Sequence, residues 1–355
     1  MNNNAVYLVS TLRHLHFSMA LAFENSDENA HLIITGSNIS EEVLHKLRAS
    51  ELSPFISMIR IEMYIGETKK KLKDFRHIQQ QMSDYLVPLM PSKCFVGNDR
   101  KDYAQWFMNF STKLNSDCVR YYLDEGTASM VPYSKTSRSI VDKLEGFIKK
   151  LLFGFWFSMP PAIGASKYID FAYLIFPSLA HKYLKNKNIL EFERKWLLNT
   201  SLLKLLSEIG GLSTAELGEL TRITTVFVLP RKKLINRFYG GIPQLKNILQ
   251  SYANSSNCVG LKYHPADSDG ISELEQGIDH LVRLPNTLSL EMLLGFLPAN
   301  LTLIGDISSA LFTVKWLNPE TTVYSISGGA INIDKKWLPL LKKVNIELKI
   351  IESSI

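Results

Sequence analysis

The sequence predicts an α/β protein made of two Rossmann-like halves, each a parallel sheet doubly wound with helices. Three observations lead there. Short apolar runs alternate with helix-spaced segments up to about residue 123. The rhythm lapses over a helix-rich, aromatic stretch from about 136 to 210, without clear short strands, and then restarts. The chain has 355 residues, 46% of them hydrophobic, enough to bury two cores of ordinary size.

Taken in order, AVYLVS (5–10) reads as the first strand, with FSMALAFEN at helical spacing behind it. AHLIITG (30–36) is a second strand, followed by the amphipathic SEEVLHKLRAS. FISMIRI (55–61), KCFVG (93–97) and DCVRYYL (117–123) continue the series. After the lapse come TTVFVL (224–229), CVGLKY (258–263), LTLIG (301–305) and TTVYSIS (321–327). IPQLKNILQSYA, SLEMLLGFL and SSALFTVKWL read as helices between them. A helical segment near 190–220 joins the halves. The expected domains are 1–205, with a helical insertion, and 206–355, whose last helix has the option of packing back on the first domain. No repeat of solenoid period is evident.

Composition narrows the classes. Cys94, Cys118 and Cys258 are odd in number and lack metal-ligand spacing, which argues for a reducing compartment. MNNNAVYLVS has no basic stretch leading into an apolar one, so a cytoplasmic location is expected, with attachment to the inner face of a membrane as a variant. The uncharged run 151–166 is shorter than the ~20 residues of a membrane span and contains Pro160-Pro161. FIKKLLFGFWF is expected as a buried helix or a contact between domains; lying on an anionic bilayer is the alternative. Formal charge is +6, from 40 Lys and Arg against 34 Asp and Glu, with basic runs at 69–77, 231–237 and 334–343. That balance favours an anionic partner. Nucleic acid is not expected, because no binding motif accompanies the basic runs. The absence of G-x-G-x-x-G after the first strand, and of any P-loop, argues against dinucleotide oxidoreductases and P-loop enzymes. No zinc-type motif occurs, and no metal site or cofactor is expected.

Four stretches place reactive side chains where a strand gives way. In YYLDEGTAS, Asp124 and Glu125 follow an apolar strand and Gly126 permits the sharp turn that leaves carboxylates at the lip, suited to general-base work. In LKYHP, His264 stands at the strand exit, where an imidazole can donate a proton to a departing phosphate or hold a charge against it, and Pro265 stiffens the backbone after it. In RLPNTLSLEMLLGF, Asn286, Thr287 or Ser289 can cap a helix carrying Glu291, a carboxylate able to accept from a vicinal diol. In LIGDISSALF, Ser308 and Ser309 with free backbone N–H groups make a phosphate seat at a helix start. An acidic turn, a surface loop and a capping glutamate are the plainer readings of the first three. His14 and His16 sit beside the first strand's exit, where facing an acceptor and lying partly buried are both open; His45, His77 and His181 have no telling partner. The aromatic group 153–157 reads first as core.

The Asp-Glu-Gly element at 124–126, Lys-Tyr-His-Pro at 262–265, Glu291 and the pair Ser308-Ser309 occur in an order that resembles the bacterial sialyltransferases, including the capsule polysialyltransferases. STLRHLHFSMALA (10–22) is similar to the opening segment of the polysialyltransferase group. The resemblance rests on short motifs touching both halves. It implies the GT-B fold, two Rossmann-like domains facing each other across a cleft, with the acceptor on the first and a CMP-sugar donor on the second. It implies Glu125 as the base with Asp124 beside it, His264 at the CMP phosphate, and Lys262 and Pro265 by the cytosine. Glu291 would hold the ribose and Ser308 and Ser309 the phosphate. Asp-Glu stands where the family's pattern runs Asp-Asp or Glu-Asp, so both carboxylates remain candidates for the base. The implied function is inverting, metal-independent transfer of sialic acid or a related nonulosonic acid to a capsular or lipooligosaccharide glycan, lipid-linked acceptors included. Kdo, pseudaminic or legionaminic acid donors are the same-class alternatives, and a non-catalytic capsule-assembly or membrane scaffold protein is the different-class one.

Overall fold

The structure, a computed structural model, describes residues 3–62, 68–131, 140–253, 257–267, 269–328 and 336–351. Residues 334–335 of one basic run, the side chains at 69–73 of another, and Ser268 in the loop after His264 lie outside the described residues.

The chain divides into two units, Met1–Leu205 and Leu206–Ile355. The first holds strands β1 (Asn4–Val9), β2 (Asn29–Thr35), β3 (Ser57–Ile61), β4 (Lys93–Val96), β5 (Val119–Leu123), β6 (Phe171–Leu174) and β7 (Asn188–Glu191), in the sheet order β3-β2-β1-β4-β5-β6-β7. The second holds β8 (Ile223–Val228), β9 (Cys258–Lys262), β10 (Leu281–Arg283), β11 (Thr302–Gly305), β12 (Thr322–Gly328) and β13 (Ile346–Ile351), in the order β10-β9-β8-β11-β12-β13. Every pairing in both sheets is parallel.

Both orders reverse direction at one point, between β1 and β4 in the first unit and between β8 and β11 in the second. That reversal leaves a crevice at the carboxyl ends of the flanking strands, where doubly wound sheets hold ligands. Parallel strands covered by helices on both faces have no solvent side, so β1 and β2 are buried at every position after their first residue rather than at alternate ones. Val6, Ile33, Val96, Tyr122 and Ala172 gather in the first core, and Phe227, Leu245, Val259, Leu261 and Ile304 in the second.

The helix Leu12–Glu24 starts at Thr11, whose hydroxyl accepts from the His14 N–H at 3.2 Å. The helix Glu41–Ala49 carries Glu41 and Glu42 in its first turn and Lys46 and Arg48 in its last, complementing its dipole. The join between the units is helical, as expected: Arg194–Leu197, Thr200–Gly210 and Thr214–Leu220.

Four strands correct the sequence reading. The stretch 136–210 contains β6 and β7, which extend the first sheet; each is a four-residue strand set within the helix-rich, aromatic stretch. β10 and β13 also escaped, the first three residues long and the second, IELKII, broken by Glu347 and Lys349 at an edge. SLEMLLGFL is helical only over Leu290–Leu293. FIKKLLFGFWF divides: its start closes the helix Ile140–Phe153 with Phe147, Ile148, Leu151 and Leu152 exposed, contrary to a buried helix, whereas Phe153 and Trp156 pack against the first core, Phe157 is buried and Phe155 is exposed. No helix among the described residues is long and apolar enough to cross a membrane.

Candidate functional site

In the first unit, β5 delivers Asp124 and Glu125 to the carboxyl edge of the sheet, and the two carboxylates have different surroundings. Asp124 is 2% exposed. Its Oδ1 accepts from the Gly126 N–H and from the Ser129 hydroxyl at 2.9 Å, and its Oδ2 accepts from the Ile175 N–H at 2.9 Å. The Arg13 guanidinium lies 4.0 Å from Oδ1 and donates through Nε to the Asp124 carbonyl at 3.2 Å. Burial raises the Asp124 pKa, against the opposing pull of Arg13 and these donors. Because Ser129 spends its proton on Asp124, the Tyr122 hydroxyl donates to Ser129 at 2.8 Å and accepts from the Glu125 N–H at 3.1 Å. This chain of donors locks the turn. Gly126 closes it at φ 84° and ψ −122°, a region a side chain rarely enters.

Glu125 is half-buried and held by one bond, from Asn98 Nδ2 to Oε1 at 3.2 Å. Its other oxygen, Oε2, is buried with no partner. Burial lifts its pKa to about 7, with the Asp99 charge adding and Asn98 opposing. A carboxylate with one oxygen oriented and the other unengaged, titrating near neutrality, can take a proton from a hydroxyl.

Asn98 and Asp99 follow β4 and escaped the sequence reading, which stopped at Gly97. Their signal was the one used elsewhere, a strand followed by Gly and polar residues. Asp99 is fully buried and accepts from the N–H groups of Gly164 and Ser166 at 2.7 Å each, clipping that loop to the exit of β4. Across Gly97 sits the His14 ring: a Cβ at Gly97 would come within 2.1 Å of Nε2. His14 and His16 are each 1% exposed, and burial beside Arg13 drives both down to about 3. They are neutral histidines. His14 Nε2 and both ring nitrogens of His16 lack hydrogen-bond partners.

In the second unit, β9 carries Lys262 and His264 to its carboxyl end. The His264 Nδ1 accepts from the Ala266 N–H at 3.0 Å, within the turn Pro265–Asp267. A neutral ring bonded that way carries its only proton on Nε2. Burial lowers the His264 pKa, Arg231 lowers it further and Asp267 opposes, so the neutral donor form prevails at pH 7. Pro265 is exposed.

Lys262 is 5% exposed, and its Nζ donates to the Pro285 carbonyl at 2.8 Å and to Asn286 Oδ1 at 3.1 Å. It thereby ties down the loop leading to Glu291. Burial lowers its pKa to about 8 while Glu291 pulls the other way, which puts the two side chains in one electrostatic neighbourhood. Glu291 is 7% exposed in the first turn of Leu290–Leu293, where the Ser289 hydroxyl caps the Met292 N–H at 3.4 Å.

Ser308 and Ser309 stand where β11 passes into the helix Ser309–Leu317. Ser308 is in N-cap position, yet its hydroxyl makes no cap bond, and its Oγ is buried without a partner. Two further features stand at this edge, of which the sequence reading had singled out only the basic run. Asp306 lies two residues before Ser308, with burial pushing it up to about 6. The basic run 231–237 emerges after β8, between the exits of β9 and β11, so its charge is local to the site. Among the described residues no group of three or more His, Cys, Asp or Glu has the placement to hold a metal ion.

No protein-family model matches the chain, and no curated protein does. Solved structures do. The UDP-GlcNAc 2-epimerase of Methanocaldococcus jannaschii matches 98% of this chain and 89% of its own, with a TM-score of 0.57 and 11% identity. The sialyltransferase GT-B domain of Photobacterium damselae (residues 113–497 of that protein) matches 98% of each chain, with a TM-score of 0.55 and 11% identity. The fold is of the GT-B type. At 11% identity the likeness carries the architecture alone.

Proposed function

We propose that this GT-B chain is an inverting glycosyltransferase that moves sialic acid, or a related nonulosonic acid, from its CMP donor to a glycan acceptor. The observation that carries the reading is Glu125: a carboxylate at a sheet's lip, oriented by Asn98, with a buried oxygen that has no partner and a pKa of about 7.

Glu125 takes the proton from the acceptor hydroxyl as that oxygen bonds to the anomeric carbon. The bond from the anomeric carbon to the phosphate oxygen breaks on the opposite face, and its electron pair leaves with CMP. His264 meets the departing phosphate through its Nε2–H, as a neutral hydrogen-bond donor rather than a source of protons. An imidazolium there would set its own Nδ1–H against the Ala266 N–H that now points at it. The unpartnered Ser308 hydroxyl and the N–H groups opening the helix Ser309–Leu317 receive the phosphate, with Arg231 supplying positive charge. Those donors suffice for one phosphate, so transfer needs no metal on this reading. Glu291 accepts from the ribose hydroxyls, and Lys262 and Pro265 border the cytosine. Asp124 holds the turn, and the base is Glu125.

The test is release of CMP from CMP-sialic acid in a coupled assay with a sialylated acceptor. The intact protein is expected to turn over, and Glu125→Gln and His264→Ala each to lose about 100-fold or more. Normal rates in both variants sink the role assignment. A thermal shift with UDP but none with CMP, together with epimerisation of UDP-GlcNAc, would place the chain with its epimerase neighbours instead.

A further inference from the structure

The helix Ile140–Phe153 turns its apolar side away from the protein. Its inner side is marked by Gly146, where an added side chain would start 3.7 Å from Met159 Cβ, and by Phe153, which packs on Phe75 and Phe157 in the first unit's core. On the opposite side Leu144, Phe147, Ile148, Leu151 and Leu152 are all exposed. At 100° per residue these positions fall within one arc, the width of the stripe that amphipathic helices normally bury. Gly154, at φ +115°, ends the helix, and Phe155 projects beyond it at 88% exposed.

Lys149 and Lys150 fall on the two flanks of this arc. The Lys149 ammonium lies 5.9 Å from the centre of the Phe157 ring, and Lys150 is exposed. Aligned lysines beside an outward apolar stripe match a layer of anionic headgroups over acyl chains. With 14 residues the helix is about 21 Å long, short of a ~30 Å hydrocarbon core, so it suits the plane of the surface and not a span.

We propose that this face docks the protein on the surface of an anionic lipid bilayer, with Phe147, Leu151 and Phe155 entering the headgroup boundary and Lys149 and Lys150 reaching for phosphate. Attachment here would hold the enzyme beside lipid-borne acceptors, but the docking itself does not depend on the donor reading.

The full chain is sedimented with phosphatidylcholine vesicles, with and without phosphatidylglycerol; no nucleotide or sugar enters the assay. Binding should be at least about tenfold stronger on the anionic vesicles and should weaken as salt rises. Leu151→Ser with Phe155→Ser should abolish it, leaving the far-UV circular dichroism and melting temperature unchanged, since both side chains are exposed. Lys149→Glu with Lys150→Glu should weaken it by about 30-fold or more. The proposal is overturned if the intact chain ignores anionic vesicles or if the Leu151/Phe155 variant still sediments. It is equally overturned if the intact chain is a dimer that the same variant dissociates.

Discussion

Two neighbouring carboxylates end the same strand, and their hydrogen bonds separate them. Asp124 engages both oxygens with three donors, whereas Glu125 keeps one buried oxygen unpartnered. Removing Asp124 leaves buried N–H and O–H donors unsatisfied, so Asp124→Ala should cost roughly 2–4 kcal/mol in urea unfolding. Glu125→Gln should cost little stability and most of the turnover. The pH profile follows from the sign of the shift. The Glu125 pKa is raised to about 7, and the working base is the deprotonated form, so the rate should climb with pH through about 7. The same raised pKa means that the folded chain holds a proton the unfolded one has released. Its contribution to stability is therefore full below the unfolded pKa of 4.5 and lost as pH rises through about 7, a slope that Glu125→Gln should flatten. Sequence pointed to both carboxylates but could not divide their work. The donors that do so come from Asn98, Ser129 and Ile175, the last 51 residues away.

Among the elements, the proposed function bears most directly on the turn after β5 and the helix start after β11. Gly126→Ala forces a side chain to φ 84°, ψ −122°, at a cost of about 1–3 kcal/mol, and should disorder the base along with the turn. Ser308→Ala offers a cleaner contrast. A Ser N-cap that bonds its helix is worth about 1 kcal/mol, but Ser308 makes no such bond, so its loss should leave the melting temperature nearly unchanged. It should still weaken CMP binding by about tenfold, read by calorimetry; unaltered affinity would remove Ser308 from the phosphate seat. The nine strands expected from the sequence are present within one or two residues at most ends. Among them β1 and β2 are buried at nearly every position, the pattern that burial on both faces imposes. The four that escaped are short or lie at an edge with charged residues between apolar ones, so their pairing comes from the sheet they join and not from their own pattern.

At the scale of the whole molecule, the two units repeat one design: a parallel sheet whose order reverses after its first strand, with reactive side chains at the carboxyl edge. Treating the protein with EDTA should leave transfer intact, because the charges that meet the phosphate are assigned to its own side chains and helix-terminal N–H groups; loss of activity restored by a divalent ion would overturn that assignment. The +6 charge of the chain now has local destinations. One basic run opens beside the exits of β9 and β11, and Lys149 and Lys150 flank an apolar helix face.

By itself the sequence determined the class of fold, nine of the strands in chain order, and the positions where several strands hand titratable or polar residues to loops. These follow from local rules: apolar runs bury, and small or polar residues end them. Only tertiary structure decided which carboxylate is left with an unpartnered oxygen, which nitrogen of His264 carries the proton, and that the helix Ile140–Phe153 faces outward. Each of those depends on what a distant segment places beside a side chain, and no periodicity in the chain encodes that neighbour.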